Sequence, residues 1–169
     1  MFSLWKKLRH FNSRDQFLDW FFAQSQHQWM QSSRYIKIHF MDFFETVPLK
    51  TINKLFTERD IYFVPSNGKY SCSVSSKHEE VIIVFPELLK LLSAPFDGYA
   101  KAILSHELGH IFCEHSSKHI DPMQAQVEAD AFCIELGYGE QLAEFLEEQF
   151  ESVEKRVRLS YVTSSLFSH

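Results

Sequence analysis

The chain reads as an α+β protein in which helices surround a small, mostly antiparallel sheet of about three strands. Two observations predict this. Apolar residues recur at helical spacing towards both ends of the chain, whereas the middle holds short β-branched runs separated by turn residues. Residues 3–31 and 38–58 read as helical, with Phe17, Leu18, Phe21 and Phe22 on one face and Phe40, Phe44 and Val47 on another. Pro48 lacks a backbone donor and should interrupt the second stretch. Residues 61–64 and 70–74 flank Pro65-Ser66-Asn67-Gly68, a turn signal that predicts a hairpin between them. Residues 81–85 form a third β-branched run, stopped by Pro86. Helical pattern resumes near Asp97 and runs through His115. Asp121, Pro122 and Gln124 mark the start of the next helix, because an Asp cap and a first-turn proline suit a helix N-terminus. Gly137 should end it, since glycine accepts the left-handed cap geometry. A last helix is predicted over residues 139–159, with Leu142, Phe145, Leu146, Val153 and Val157 on one stripe.

No internal repeat and no Pro/Gly-rich linker divides the 169 residues, so one domain is expected. Its parts are N-terminal helices over 1–58, the sheet over 60–86 and further helices over 97–159. Hydrophobic content of 45% is that of a globular chain, and most of the 17 Phe rings should lie in its core. A net charge of −5 argues against nucleic acid as the main partner. Cys72, Cys113 and Cys133 cannot all pair within the chain and form no C-x-x-C, which suits a reducing compartment. No signal peptide or membrane-length apolar run is legible, so a cytoplasmic protein is expected.

The chemistry concentrates in His106-Glu107-Leu108-Gly109-His110. Two histidines four apart on a helix share a face, one turn from each other, and can converge on one zinc ion. Glu107 stands next to the first of them and can act as general base towards a zinc-activated water. Ala102, Ile103, Leu104, Leu108, Ile111 and Phe112 make the helix apolar around most of its circumference, so it should be buried. Buried His and Glu are costly unless paired or metal-bound, which favours a site over two ordinary surface histidines. Catalytic zinc takes three protein ligands. Cys113 lies about 10 Å along the helix from His106, too far to share the ion, and reads as core. His115 and His119 fall beyond the useful face. The remaining candidates are Gln126, Glu128 and Asp130 on the following helix.

With Ile103-Leu-Ser-His-Glu-Leu-Gly-His-Ile, His115 five residues after the second histidine, and Glu128-Ala-Asp-Ala-Phe-Cys-Ile-Glu-Leu-Gly137, the sequence resembles the gluzincin zinc peptidases. It is most similar to the CAAX prenyl protease and HtpX-type family, with a weaker likeness to the ImmA/IrrE peptidases. The resemblance covers roughly residues 97–140 and implies a minimal, gluzincin-like metallopeptidase core. By that likeness His106 and His110 are ligands, Glu107 is the base and Asp130 orients His106. The family's third ligand, a Glu four residues before that Asp, falls on Gln126, a neutral and weaker zinc ligand. Glu128 offers a carboxylate but sits about 200° around the helix from Gln126. The third ligand is therefore Gln126 or Glu128, or the site is catalytically dead and the protein a regulatory or adaptor module. His169 matches the start of a family Ser-His-Pro element whose His stabilises the transition state, although the supporting Arg is missing. The family's edge strand binds extended peptide, which implies that substrate class, with residues 81–85 near the cleft.

Other motifs are weaker. Phe2, Trp5, Leu8 and Phe11 interleaved with Lys6, Lys7 and Arg9 suit an amphipathic core helix better than contact with a membrane surface. The acidic stretch 140–154 reads as a solvated face. No Walker loop, GxGxxG or nucleophile elbow supports nucleotide or serine-hydrolase chemistry.

Overall fold

The computed structural model describes residues 9–66, the backbone of 71–75, and 79–167. Phe2, Trp5 and Leu8, the Asn67-Gly68 turn and His169 lie outside the described residues. The expectation of an α+β protein holds: helices dominate and flank a three-stranded sheet.

The N-terminal helices are shorter than their periodicity predicts. They comprise α1 (Arg14–Ala23), α2 (Gln28–Gln31), α3 (Arg34–Thr46) and α4 (Leu49–Phe56). Ser13 and Ser33 start α1 and α3 by accepting the backbone N–H three residues on, which satisfies a first-turn donor that has no partner within the helix. Pro48 separates α3 from α4 as expected and stands at the N-cap of α4. Arg14 donates to the carbonyls of Phe44 and Val47, closing off the end of α3. The shared faces read from the sequence are all buried: Phe17, Leu18, Phe21 and Phe22 from α1, Phe40 and Phe44 with Val47 from α3. Their rings pack edge-on and tilted against Phe56 and Phe63. Each buried Phe contributes about 1.5–3 kcal/mol of apolar transfer free energy, so this aromatic cluster anchors the N-terminal half.

The sheet departs from expectation. Strands β1 (Asp60–Pro65), β2 (Ser71–Ser75) and β3 (Glu79–Val84) lie in the order β1-β3-β2. β1 runs parallel to β3, and β2 runs antiparallel to it. The predicted hairpin between the first two runs is therefore not the pairing, and the sheet is mixed rather than mostly antiparallel. Val81-Ile82-Ile83-Val84 is the most continuously apolar run, and a strand apolar on both faces gains most from the central position. Residues 81–85 consequently do not form an edge.

α5 (Pro86–Leu92) leads into the central helix, α6 (Gly98–Phe112). α6 ends earlier than predicted, because Glu114 turns the chain with a left-handed φ of 60°. Asp121 caps α7 (Pro122–Glu135) as expected, accepting from Met123 and Gln124, and Gly137 follows with φ 88°. The predicted last helix is two, α8 (Gly139–Glu147) and α9 (Val153–Leu166). Ser152 caps α9 between them, so Val153 and Val157 leave the stripe and are 64% and 40% exposed. One apolar cluster joins residues from the N-terminal helices, the sheet and α6–α9. Among the described residues no helix is long and apolar enough to cross a membrane.

Candidate metal centre

α6 is buried along most of its length, as its all-round apolar pattern predicts, and it packs against α7, α8 and β2. Gly109 permits the closest of these approaches. A Cβ at that position would stand 2.9 Å from both Cα and O of Ala129, so the α6–α7 contact requires glycine. That contact sets His106 of α6 against Asp130 of α7 and places Gln126 in the same cleft as the two histidines.

His106 and His110 point their Nε2 atoms at each other, 3.1 Å apart. Two nitrogens on one tetrahedral zinc, each about 2.0–2.1 Å from the metal, stand roughly 3.3–3.4 Å apart. The pair is thus close to ligand spacing before any adjustment. The Nδ1 of His106 lies 2.8 Å from Asp130 Oδ1. Asp130 is fully buried, and Arg158 of α9 grips it with Nη2 and Nε at 2.8 and 2.9 Å. Burial alone would raise the Asp130 carboxyl, but hydrogen bonds from His106 and Arg158 outweigh it and hold the group below its usual value. Asp130 accepts from His106 Nδ1, and in the neutral ring a proton there leaves Nε2 bare. Burial, then His106, His115 and Arg158, push His110 down to about 3, which keeps its ring neutral.

The two third-ligand candidates face different ways. Gln126 lines the same cleft as His106, Glu107 and His110. Its Oε1 is buried and, among the described residues, meets no hydrogen-bond donor. An amide oxygen so placed lacks a donor and suits a cation. Glu128 turns away: Oε2 lies 3.0 Å from His115 Nε2, and Oε1 accepts from Gln124 at 3.0 Å. His115, expected beyond the useful face, returns under the site. The left-handed turn at Glu114 brings its Nδ1 to 2.8 Å from Nδ1 of His110. His119 is exposed, in keeping with a surface residue. Cys113, expected in the core, is half-buried at the end of α6, with ligand atoms of Cys113, His115 and Glu128 mutually within 4.8 Å.

The cleft encloses about 790 Å³. Its polar wall includes His106, Glu107, His110, His115, Gln126 and Arg158, and its apolar wall includes Ile103, Leu142, Phe145 and Leu146. The helices build it, and no described sheet residue lines it. Sequence reasoning missed two of its features. Arg158 is readable only as the i,i+4 partner of Glu154, a spacing typical of solvated pairs. His115 depends on a positive φ at a glutamate, which no sequence rule signals. No protein-family model matches the chain, and neither does any curated protein or solved structure at a significant level.

Proposed function

We propose that the chain is a zinc-dependent peptidase of gluzincin type, nearest to the CAAX prenyl protease and HtpX-type enzymes, with His106, His110 and Gln126 as its metal ligands. One observation carries this reading. Two imidazole nitrogens 3.1 Å apart and a buried amide oxygen without a partner line one cleft, a donor set that is short of a cation. Gln126 is favoured over Glu128 because the Glu128 carboxylate is already engaged by His115 and Gln124. Zinc held there would polarise a scissile carbonyl and lower the pKa of water to about 7.

The chain's own residues supply the rest. Glu107 stands on the cleft wall beside His106, where its carboxylate can take the proton of the attacking water and later return it to the leaving amine. Asp130 fixes the tautomer of His106, and Arg158 fixes Asp130. Extended peptide is the substrate class this reading implies, and any strand addition would use β2. β1 is closed to it, because Phe63 donates its N–H to His27 and its carbonyl accepts from Trp29, and β3 is paired on both sides. Unpaired Cys113 and Cys133 fit a cytoplasmic setting.

The test is Glu107→Gln. The variant is expected to keep fold and zinc while cleavage of unfolded protein falls by about 10²–10⁴-fold. Undiminished cleavage by that variant would refute the mechanism. A second reading rests on the neutrality of Gln126: a regulatory or adaptor protein that keeps the site without turnover. It expects no cleavage of any peptide library with any divalent metal, and binding to a protein partner instead.

A further inference from the structure

We propose that Glu128 and His115 are positioning residues for His110, forming a relay that aims its Nε2 lone pair into the cleft; the inference rests on the reading of His110 as a metal ligand. The geometry runs in one line. Glu128 Oε2 lies 3.0 Å from His115 Nε2, and His115 Nδ1 lies 2.8 Å from His110 Nδ1. The remaining His110 nitrogen, Nε2, is the one that faces His106 at 3.1 Å. Proton directions follow from the acid at the end. Glu128 accepts from Gln124 through Oε1 and faces His115 Nε2 through Oε2, and carboxylate oxygens accept. A neutral His115 that donates through Nε2 keeps its Nδ1 as an acceptor. His110 must then donate through Nδ1, which leaves Nε2 bare. Asp130 imposes the same tautomer on His106 directly. The two histidines thus reach one arrangement by two routes, one through a buried aspartate and one through a second imidazole.

Two of these side chains, His115 and Glu128, could instead gather a cation of their own with Cys113. The relay is favoured because both nitrogens of His115 are engaged at hydrogen-bond distance, and Gln124 also holds Glu128. A zinc ion on His115 Nε2 would displace the bond to Glu128.

The experiment measures zinc affinity, by competition with a chromophoric chelator, for wild type, His115→Phe, Glu128→Leu, the double variant and Cys113→Ser. Circular dichroism establishes that each is folded. Loss of such supporting partners lowers metal affinity by about 10–100-fold. Each single variant should show that loss. Because the two residues act in series, the double variant should be no worse than the weaker single. Cys113→Ser should bind as wild type does. Unchanged affinity in both single variants, or losses that add in the double, would overturn the relay. So would a second zinc per wild-type chain that disappears in Cys113→Ser. A second readout needs no metal: ¹⁵N shifts of His110 in the zinc-free chain should report Nδ1–H in wild type and a mixture of tautomers in Glu128→Leu. An unaltered tautomer there refutes the relay even where zinc binds. A wild type that shows the relay tautomer but binds no zinc refutes the metal reading instead.

Discussion

Gln126 is where the chemistry of the site is most exposed to a single atom. Its Oε1 is buried without a donor, in a cleft that holds two histidine nitrogens. Exchanging the amide for a carboxylate adds charge where a dication would sit and changes little volume. Gln126→Glu is therefore expected to tighten zinc binding by roughly tenfold or more, each decade being 1.4 kcal/mol. A zinc titration checks it, and weaker binding by the variant would show that Oε1 does not face the metal. The same residue shows what sequence can carry. The spacing of His106, Glu107 and His110 was legible because a helix of 3.6 residues per turn fixes where residues four apart point. The choice between Gln126 and Glu128 was not. Their bearings differ by about 200°, but which bearing faces α6 depends on packing across Gly109 and Ala129. Arg158 was illegible for a related reason: its partner Asp130 lies 28 residues away on another helix.

At the scale of elements, two contacts hold the scaffold in register. The first is α6 on α7 through Gly109. A methyl group there meets the Ala129 backbone at 2.9 Å and Phe132 Cβ at 3.2 Å, and backbone cannot swing aside as a side chain can. Gly109→Ala should cost about 1–3 kcal/mol of stability by overpacking, measured by urea denaturation. An unchanged midpoint would mean that the helices are not so closely apposed. The second contact is His27, fully buried between α1 and β1. Its Nδ1 lies 2.7 Å from the Phe21 carbonyl and its Nε2 accepts from Phe63 N–H. Burial pushes it down to about 4, against a weaker upward pull from the Phe21 carbonyl. The sign follows from linkage: the unfolded chain takes up a proton below its ordinary value of 6.5, and the folded chain does not until about 4. The contribution of His27 is thus complete above pH 6.5 and is lost as pH falls to about 4, by roughly 3 kcal/mol. Urea midpoints across that window should fall for wild type and stay flatter for His27→Gln. Parallel curves would contradict the assignment.

On the scale of the whole molecule, the helical ends were readable and the sheet order was not. Periodicity reports which face of an element is apolar, and the buried faces of α1, α3 and α6 match it. Strand order is decided by which strand loses most from an exposed edge, and Pro65-Ser66-Asn67-Gly68 is a local signal silent about that competition. The break between α8 and α9 was likewise hidden. Val153 and Val157 continue the apolar spacing in sequence, while Ser152 starts a new helix that points them outward. That break shapes the cleft: Arg158 meets Asp130, and Phe150, 93% exposed, stands on the rim.

The central claim is that this cleft holds zinc through α6 and α7. It is met most directly by titrating zinc into wild type, the His106→Ala/His110→Ala double variant and Gln126→Ala, each shown to be folded. Roughly one zinc ion per wild-type chain is expected, with abolished binding in the double variant and weakened binding in Gln126→Ala. A wild type that takes up no zinc, or a double variant that binds as wild type does, would contradict it.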